Sequence, residues 1–116
     1  EERLTRAGHT AAAREDAIAV LDRAGLVDDA RLAASRADLL AARGYGDAAI
    51  RADLRRRSIP DEAAADAVAA LEPELDRVRA KLGGEIVTPA VVRRLAGRGF
   101  SRDTLEEVAS TFAQDA

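Results

Sequence analysis

The sequence contains no cysteine. That excludes a disulfide framework and thiolate chemistry. Histidine is almost as scarce, with His9 alone, so no set of imidazoles and thiolates exists to hold zinc. Aromatic residues supply only 3%, namely Tyr45, Phe100 and Phe112. Much of the 47% apolar fraction is alanine, the best helix former but one that brings little apolar area. Thin-cored, close-packed helices are the expected product. No apolar run approaches membrane-spanning length and nothing at the start resembles a signal peptide, so a cytoplasmic location is expected. No stretch alternates with period two for long enough to make a sheet. The net charge of -3 and pI near 5.2 argue against a protein held on nucleic acid by bulk positive charge, while leaving room for a local basic patch.

What the chain does have is a repeated phrase. Leu4-Thr-Arg-Ala-Gly8-His9-Thr10, Leu54-Arg-Arg-Arg-Ser58-Ile59-Pro60 and Leu95-Ala-Gly-Arg-Gly99-Phe100-Ser101 each place a leucine four residues before Gly or Ser. A ring or branched side chain follows, then a helix-starting residue. Twelve residues beyond that side chain comes a further apolar anchor, Leu21, Leu71 or Phe112. Such repetition in 116 residues predicts a row of small helical modules that present a surface rather than enclose a site.

The reading along the chain is an all-α, elongated, curved array of tandem three-helix repeats, divided as 1–46, 47–84 and 85–116. The chain opens on Glu1-Glu2 without methionine and inside the phrase. The first repeat is therefore expected to be truncated at its N-terminus, and the last helix at its end. A short helix should end near Ala7, turned by Gly8. Thr10 caps a second helix reaching Arg23, with Ile18 and Leu21 inward, and Ala24-Gly25 stops it. Asp28 then caps a third helix, Val27 packing on Leu32 as a hydrophobic staple, with Leu32, Leu39 and Leu40 in the core. Gly44-Tyr45-Gly46 ends it and Asp47 caps the next. Ile50 and Leu54 form that helix's contact, Val68 and Leu71 the following one's. Pro73 sits in the first turn of a helix striped by Leu75, Val78 and Leu82, which Gly83-Gly84 ends. Thr88-Pro89 opens the third repeat with Val91, Val92 and Leu95, and Ser101 caps the last helix, which carries Phe100, Leu105, Val108 and Phe112. Eight or nine short helices account for the chain.

Catalytic and metal chemistry find no support. His9 occupies the place of Ile59 and Phe100 in the other copies, which assigns it packing or capping. Asp28-Asp29 is explained by capping and the helix dipole. Glu62 and Asp66 share a helical face without a third ligand, and Gly83-Gly84 lacks the strand and lysine of a phosphate loop. No enzyme, metal or cofactor is expected. The basic residues say more. Arg36 and Arg43, seven apart, share one helical face; Arg51 and Arg55, four apart, share another, with Arg56 and Arg57 alongside and Tyr45 in the turn between. Asp47 is placed to neutralise Arg51, and Asp53 its neighbours. An ordinary solvated face explains this pattern; so does an arginine ridge that docks on an acidic protein surface or on phosphates.

Gly25-Leu26-Val27-Asp28-Asp29-Ala30-Arg31-Leu32-Ala33, Arg43-Gly44-Tyr45-Gly46, Ile50-Arg51-Ala52-Asp53-Leu54 and Ser58-Ile59 resemble the central signature of the bacterial RecX family of recombination regulators. Arg98-Gly99-Phe100-Ser101 resembles that family's C-terminal repeat. Leu32 stands where the family usually has phenylalanine, and Ser58 where it usually has glycine. The resemblance implies a protein, expected to be monomeric, that binds the RecA recombinase filament on single-stranded DNA. It would lodge in the filament's groove and reduce ATP hydrolysis, strand exchange and co-protease activity; some members of the family also bind DNA, and weak direct DNA contact is expected. Asp28, Asp29, Arg31, Leu32, Gly44, Tyr45, Gly46, Ile59 and Phe100 match motif positions and read as architecture. Arg36, Arg43, Arg51, Arg55, Arg56 and Arg57 are the expected recombinase- or DNA-facing residues. The alternatives are a helical-repeat module that binds DNA itself and a structural interaction array without a role in recombination.

Overall fold

The computed structural model describes the backbone of residues 11–115 and the side chains of 25 and 28–110. Leu4, Gly8, His9 and Thr10 lie outside the described residues, as do the side chains of Ile18, Leu21, Val27 and Phe112. The molecule is elongated and all-helical, with no strand among the described residues. Its elements are α1 (Ala11–Ala42), α2 (Asp47–Arg56), α3 (Asp61–Ala69), α4 (Glu74–Leu82), α5 (Pro89–Gly97) and α6 (Arg102–Asp115).

The sequence phrase is a helix ending. At Leu54 the Ser58 N–H donates to the Arg55 carbonyl (2.9 Å) and the Ile59 N–H to the Leu54 carbonyl (3.1 Å). At Leu95 the Gly99 N–H donates to Ala96 (3.1 Å) and the Phe100 N–H to Leu95 (3.4 Å). This is the paired pattern of a Schellman C-cap, whose turning residue needs positive φ: Ser58 has 63° and Gly99 91°. The residue after it folds back on the leucine five before, which is why both ends of the phrase are apolar. Leu54, Ile59, Leu95 and Phe100 are all buried. The α1–α2 turn is a further copy, with Gly44 at φ 92° donating to Ala41 and Tyr45 donating to Leu40.

Where the sequence suggests a stop at Ala24-Gly25 and a new start at Asp28, the structure has one unbroken helix of 32 residues. No proline interrupts Ala11–Ala42, and a single interior glycine costs only about 1 kcal/mol relative to alanine. Nothing lies within 4 Å of the place a Gly25 Cβ would take, so no packing rewards a turn there. Asp28 is consequently an interior residue rather than a cap, and it faces Arg31 at 3.9 Å on the exposed surface. The expected core leucines of this segment are corrected too. Leu32 is 52% exposed and Leu39 40%, while Ala33, Ala37 and Leu40 form the buried face. At 100° per residue those three lie on one side, and their small side chains let α1 approach α2 and α3 closely.

Buried side chains form two clusters. One joins Ala33, Ala37, Leu40, Ile50, Leu54, Ile59, Ala64, Ala67 and Val68 of α1–α3, with Tyr45 and Leu71 at its edge. The other joins Val78, Leu82, Val91, Leu95, Phe100 and Val108 of α4–α6. The proposed division 1–46, 47–84 and 85–116 follows the phrase, whereas the apolar packing groups helices one to three and four to six. Ser101 caps α6 as expected, accepting from the Thr104 N–H (3.2 Å), and Thr88, where the third repeat is expected to open, caps α5 by accepting from the Val91 N–H (3.2 Å).

The two clusters meet backbone to backbone. The Gly46 N–H donates to the Arg98 carbonyl (2.8 Å) and the Ala48 N–H to Gly99 (3.2 Å). A Cβ on Gly46 would come within 2.4 Å of the Phe100 nitrogen, and one on Gly99 within 2.5 Å of the Ala49 Cβ. Both glycines are thus required by close approach. Glu74 completes the joint. Its carboxylate accepts from Asp47 N–H (2.7 Å), Ser101 N–H (3.0 Å) and the Thr104 hydroxyl (2.6 Å), so one side chain serves the starts of α2 and α6 together. Burial pushes the Glu74 pKa up, but these hydrogen bonds outweigh it and the net direction is down. Asp47 therefore makes no side-chain cap: Gly46 is the N-cap residue of α2, and the carboxylate comes from α4. Pro73 likewise precedes the first turn of α4 instead of sitting inside it.

Candidate interaction face

Asp53, on α2, is the centre of the arginine cluster. Its side chain is 14% exposed and grips Arg36 of α1 through two bonds, Nε to Oδ1 at 2.9 Å and Nη2 to Oδ2 at 3.2 Å. Arg57 Nε donates to the same Oδ1 at 3.0 Å, and Arg56 Nη2 lies 3.6 Å from Oδ2. The Arg36 hydrogen bond, with Arg57 in support and burial opposing, lowers the Asp53 pKa from 3.8 to about 2. Arg36, Arg43 and Arg56 line a 210 Å³ cleft between α1 and α2, together with Tyr45, Ala49 and Asp53. Arg43 is exposed there and has no acidic partner among the described residues.

Arg51 and Arg55 stand elsewhere. Arg51 lines a separate hollow between α2 and α3 with Asp47 and Glu72, and Arg55 faces Asp61 at 3.7 Å. Asp47 does not neutralise Arg51; it takes Arg77 Nη2 at 2.9 Å. Asp53 does neutralise its neighbours. The structure therefore gathers Arg36, Arg43 and Arg56 at one cleft, with Arg57 bound to the Asp53 that lines it, and sets Arg51 and Arg55 toward α3. Asp28, Asp29, Arg31 and Leu32 lie on α1 before the cleft. Gly44, Tyr45, Gly46, Ile59 and Phe100 build the turns and the joint.

Two residues of this region carry no local signature in the sequence. Glu74 looks like any acid in the first turn of a helix. Arg77, only 10% exposed, donates to Asp47, to the Tyr45 carbonyl (3.3 Å) and to the Glu72 carbonyl (2.8 Å). Both depend on partners about thirty residues away in sequence, so neighbouring residues do not reveal them.

α2, its turn and α3 have the connectivity of a helix-turn-helix. In the DNA-reading version the second helix enters the major groove. Here α3 has the sequence DEAAADAVA, with Asp61, Glu62 and Asp66 exposed and no basic residue. Its counterpart α6 carries exposed Asp103, Glu106 and Glu107. Phosphates flanking a groove would repel both helices. Among the described residues no group of three or more His, Cys, Asp or Glu could hold a metal ion. No helix there is long and apolar enough to cross a membrane.

Comparison with known proteins bears on this unit. No curated protein and no solved structure matches the chain. Residues 28–68, the part of the chain that holds Asp53 and its arginines, match the family model described as RecX, second three-helix domain.

Proposed function

We propose that this chain is a stoichiometric regulator of the RecA recombinase. It docks as a monomer in the groove of the filament that RecA forms on single-stranded DNA in the cytoplasm, and it lowers ATP hydrolysis, strand exchange and co-protease activity. One observation carries this reading: the segment that matches the RecX second three-helix domain, residues 28–68, is the segment whose arginines converge on Asp53. An elongated helical body with a charged cleft suits a groove, where many modest contacts add and charge assists orientation and on-rate. The glycine joint and Glu74 hold the two helix clusters in one relation, which lets a body of this size restrain neighbouring subunits. Direct DNA reading is disfavoured by the acidic α3 and α6. The test is RecA ATP hydrolysis on single-stranded DNA with increasing protein. Inhibition near stoichiometric amounts is expected; a flat response overturns the reading.

A further inference from the structure

A shift of 41 residues carries Leu54, Ser58 and Ile59 onto Leu95, Gly99 and Phe100. It also carries Arg36 onto Arg77 and Arg57 onto Arg98. In the second cluster both arginines reach outward and hold the first. Arg77 binds the Asp47 carboxylate and the Tyr45 carbonyl. Arg98 donates to the Arg43 carbonyl at 3.0 Å and lies 5.1 Å over the Tyr45 ring. Their own unit has no carboxylate at the place of Asp53, because its counterpart is Arg94, which turns to Glu85 at 3.2 Å. In the first cluster Arg36 and Arg57 turn inward instead, both onto Asp53.

We infer that the Asp53 cluster is a second docking face of the same chemical kind, kept occupied by an internal carboxylate, and that it takes an acidic side chain of a protein partner at the α1–α2 cleft. This deepens the functional reading by naming what the face recognises. Arg36, Arg56 and Arg57 share a single carboxylate, so positive charge is in excess, and Arg43 on the cleft wall adds to it with no acidic partner among the described residues. Arg36 already displays the two-bond grip that a planar guanidinium makes on a carboxylate. The Arg56 head is 70% exposed and within reach of a newcomer while still facing Asp53. Exchange of one carboxylate for another preserves the count of hydrogen bonds, which makes the contact readily reversible and sensitive to salt. Convergence on one point favours a carboxylate over DNA, whose phosphates form a track that aligned cations would follow.

The experiment measures binding of a labelled oligoglutamate peptide, and separately of a single-stranded oligonucleotide of matched charge, to the whole chain by fluorescence anisotropy. The peptide is expected to bind, with affinity falling as salt rises. Arg43→Gln with Arg56→Gln should weaken it about tenfold, because both heads are exposed and the fold does not depend on them. Asp53→Asn should tighten it several-fold by releasing the cluster, with circular dichroism confirming helicity for each variant. Absence of peptide binding overturns the inference, as does binding that ignores both changes or tighter binding of the oligonucleotide through the same arginines. Inhibition of RecA without peptide binding sinks this inference alone, whereas peptide binding without inhibition sinks the RecA reading alone.

Discussion

α1–α3 fills its interior with four alanines, Ala33, Ala37, Ala64 and Ala67, among five larger side chains, whereas α4–α6 is filled without alanine by Val78, Leu82, Val91, Leu95, Phe100 and Val108. The two halves end their helices with the same turn and differ in what holds them. Alanine faces bring helix axes close but bury little area, so the first half gains from its polar clamp, Arg36 on Asp53 across α1 and α2. The second half has volume enough to bury a charge. At the position where the first half has Ala33, the second has Glu74, and that carboxylate is spent on two helix starts, one of them in the other half. One backbone plan thus carries an inward-facing salt bridge in one unit and an outward-facing joint in the other.

The largest way to break this arrangement is at the joint. Gly46→Ala places a Cβ against the Gly99–Phe100 backbone, which cannot yield without parting the halves. A loss of about 3 kcal/mol in chemical denaturation is expected. Val87, the counterpart of Gly46 under the 41-residue shift, is only partly buried against the second cluster, so Val87→Ala should cost about 1 kcal/mol at most. Equal effects at the two sites would show that the joint is not a special contact.

Removing the shared carboxylate comes next. Glu74→Ala leaves the Asp47 N–H, Ser101 N–H and Thr104 hydroxyl without their acceptor and should cost about 2–3 kcal/mol, Glu74→Gln less. Hydrogen exchange should quicken at the starts of both α2 and α6; protection lost at only one of them would separate the halves' dependence on Glu74.

Acid titration gives a smaller, graded effect. The folded-state pKa values of Asp53 and Glu74 are both lowered, so each contributes stability that is complete above the ordinary carboxylate range and is lost as pH falls. For Asp53 the loss spans 3.8 down to about 2. Asp53→Asn should flatten the stability profile in that window, and a profile identical to the unaltered chain would remove the clamp from the account.

The smallest effect is expected at the turn. Ser58 holds φ 63°, a region that favours glycine, while its counterpart Gly99 has none of that strain. Ser58→Gly should stabilise by about 0.5 kcal/mol, relief of strain being partly offset by a freer unfolded chain. A decrease in melting temperature would mean that the serine side chain contributes something the turn geometry does not show.

Much of this was legible from residues alone. The phrase around Leu54 and Leu95 is an intrahelical ending whose hydrogen bonds span five residues, so its pattern survives in sequence. The Ser101 cap, the Thr88-Pro89 start and most core positions of α2 to α6 follow for the same reason. α1 misled because its signals conflict. Gly25 followed by Val27-Asp28-Asp29 has the form of a stop and a start, yet alanine-rich flanks carry the helix through. Leu32 and Leu39 are the largest apolar residues there, but the core face is chosen by which side can approach α3 closely, and alanines serve that better. The arginines were visible, while their sorting between the Asp53 cleft and the α3 side was not, since that depends on how α1 crosses α2.

By itself the sequence determined the helical class, the repeated turn, most helix limits and the supply of arginines, because each rests on hydrogen bonds or periodicities a few residues long. Only the tertiary structure decided that Glu74 serves two helices, that Asp53 gathers three arginines and that Gly46 meets Gly99. Apart from Arg56 and Arg57, which are near Asp53 in sequence, those contacts join residues 17 to more than 50 positions apart, and they exist only once packing has set the distance between helices.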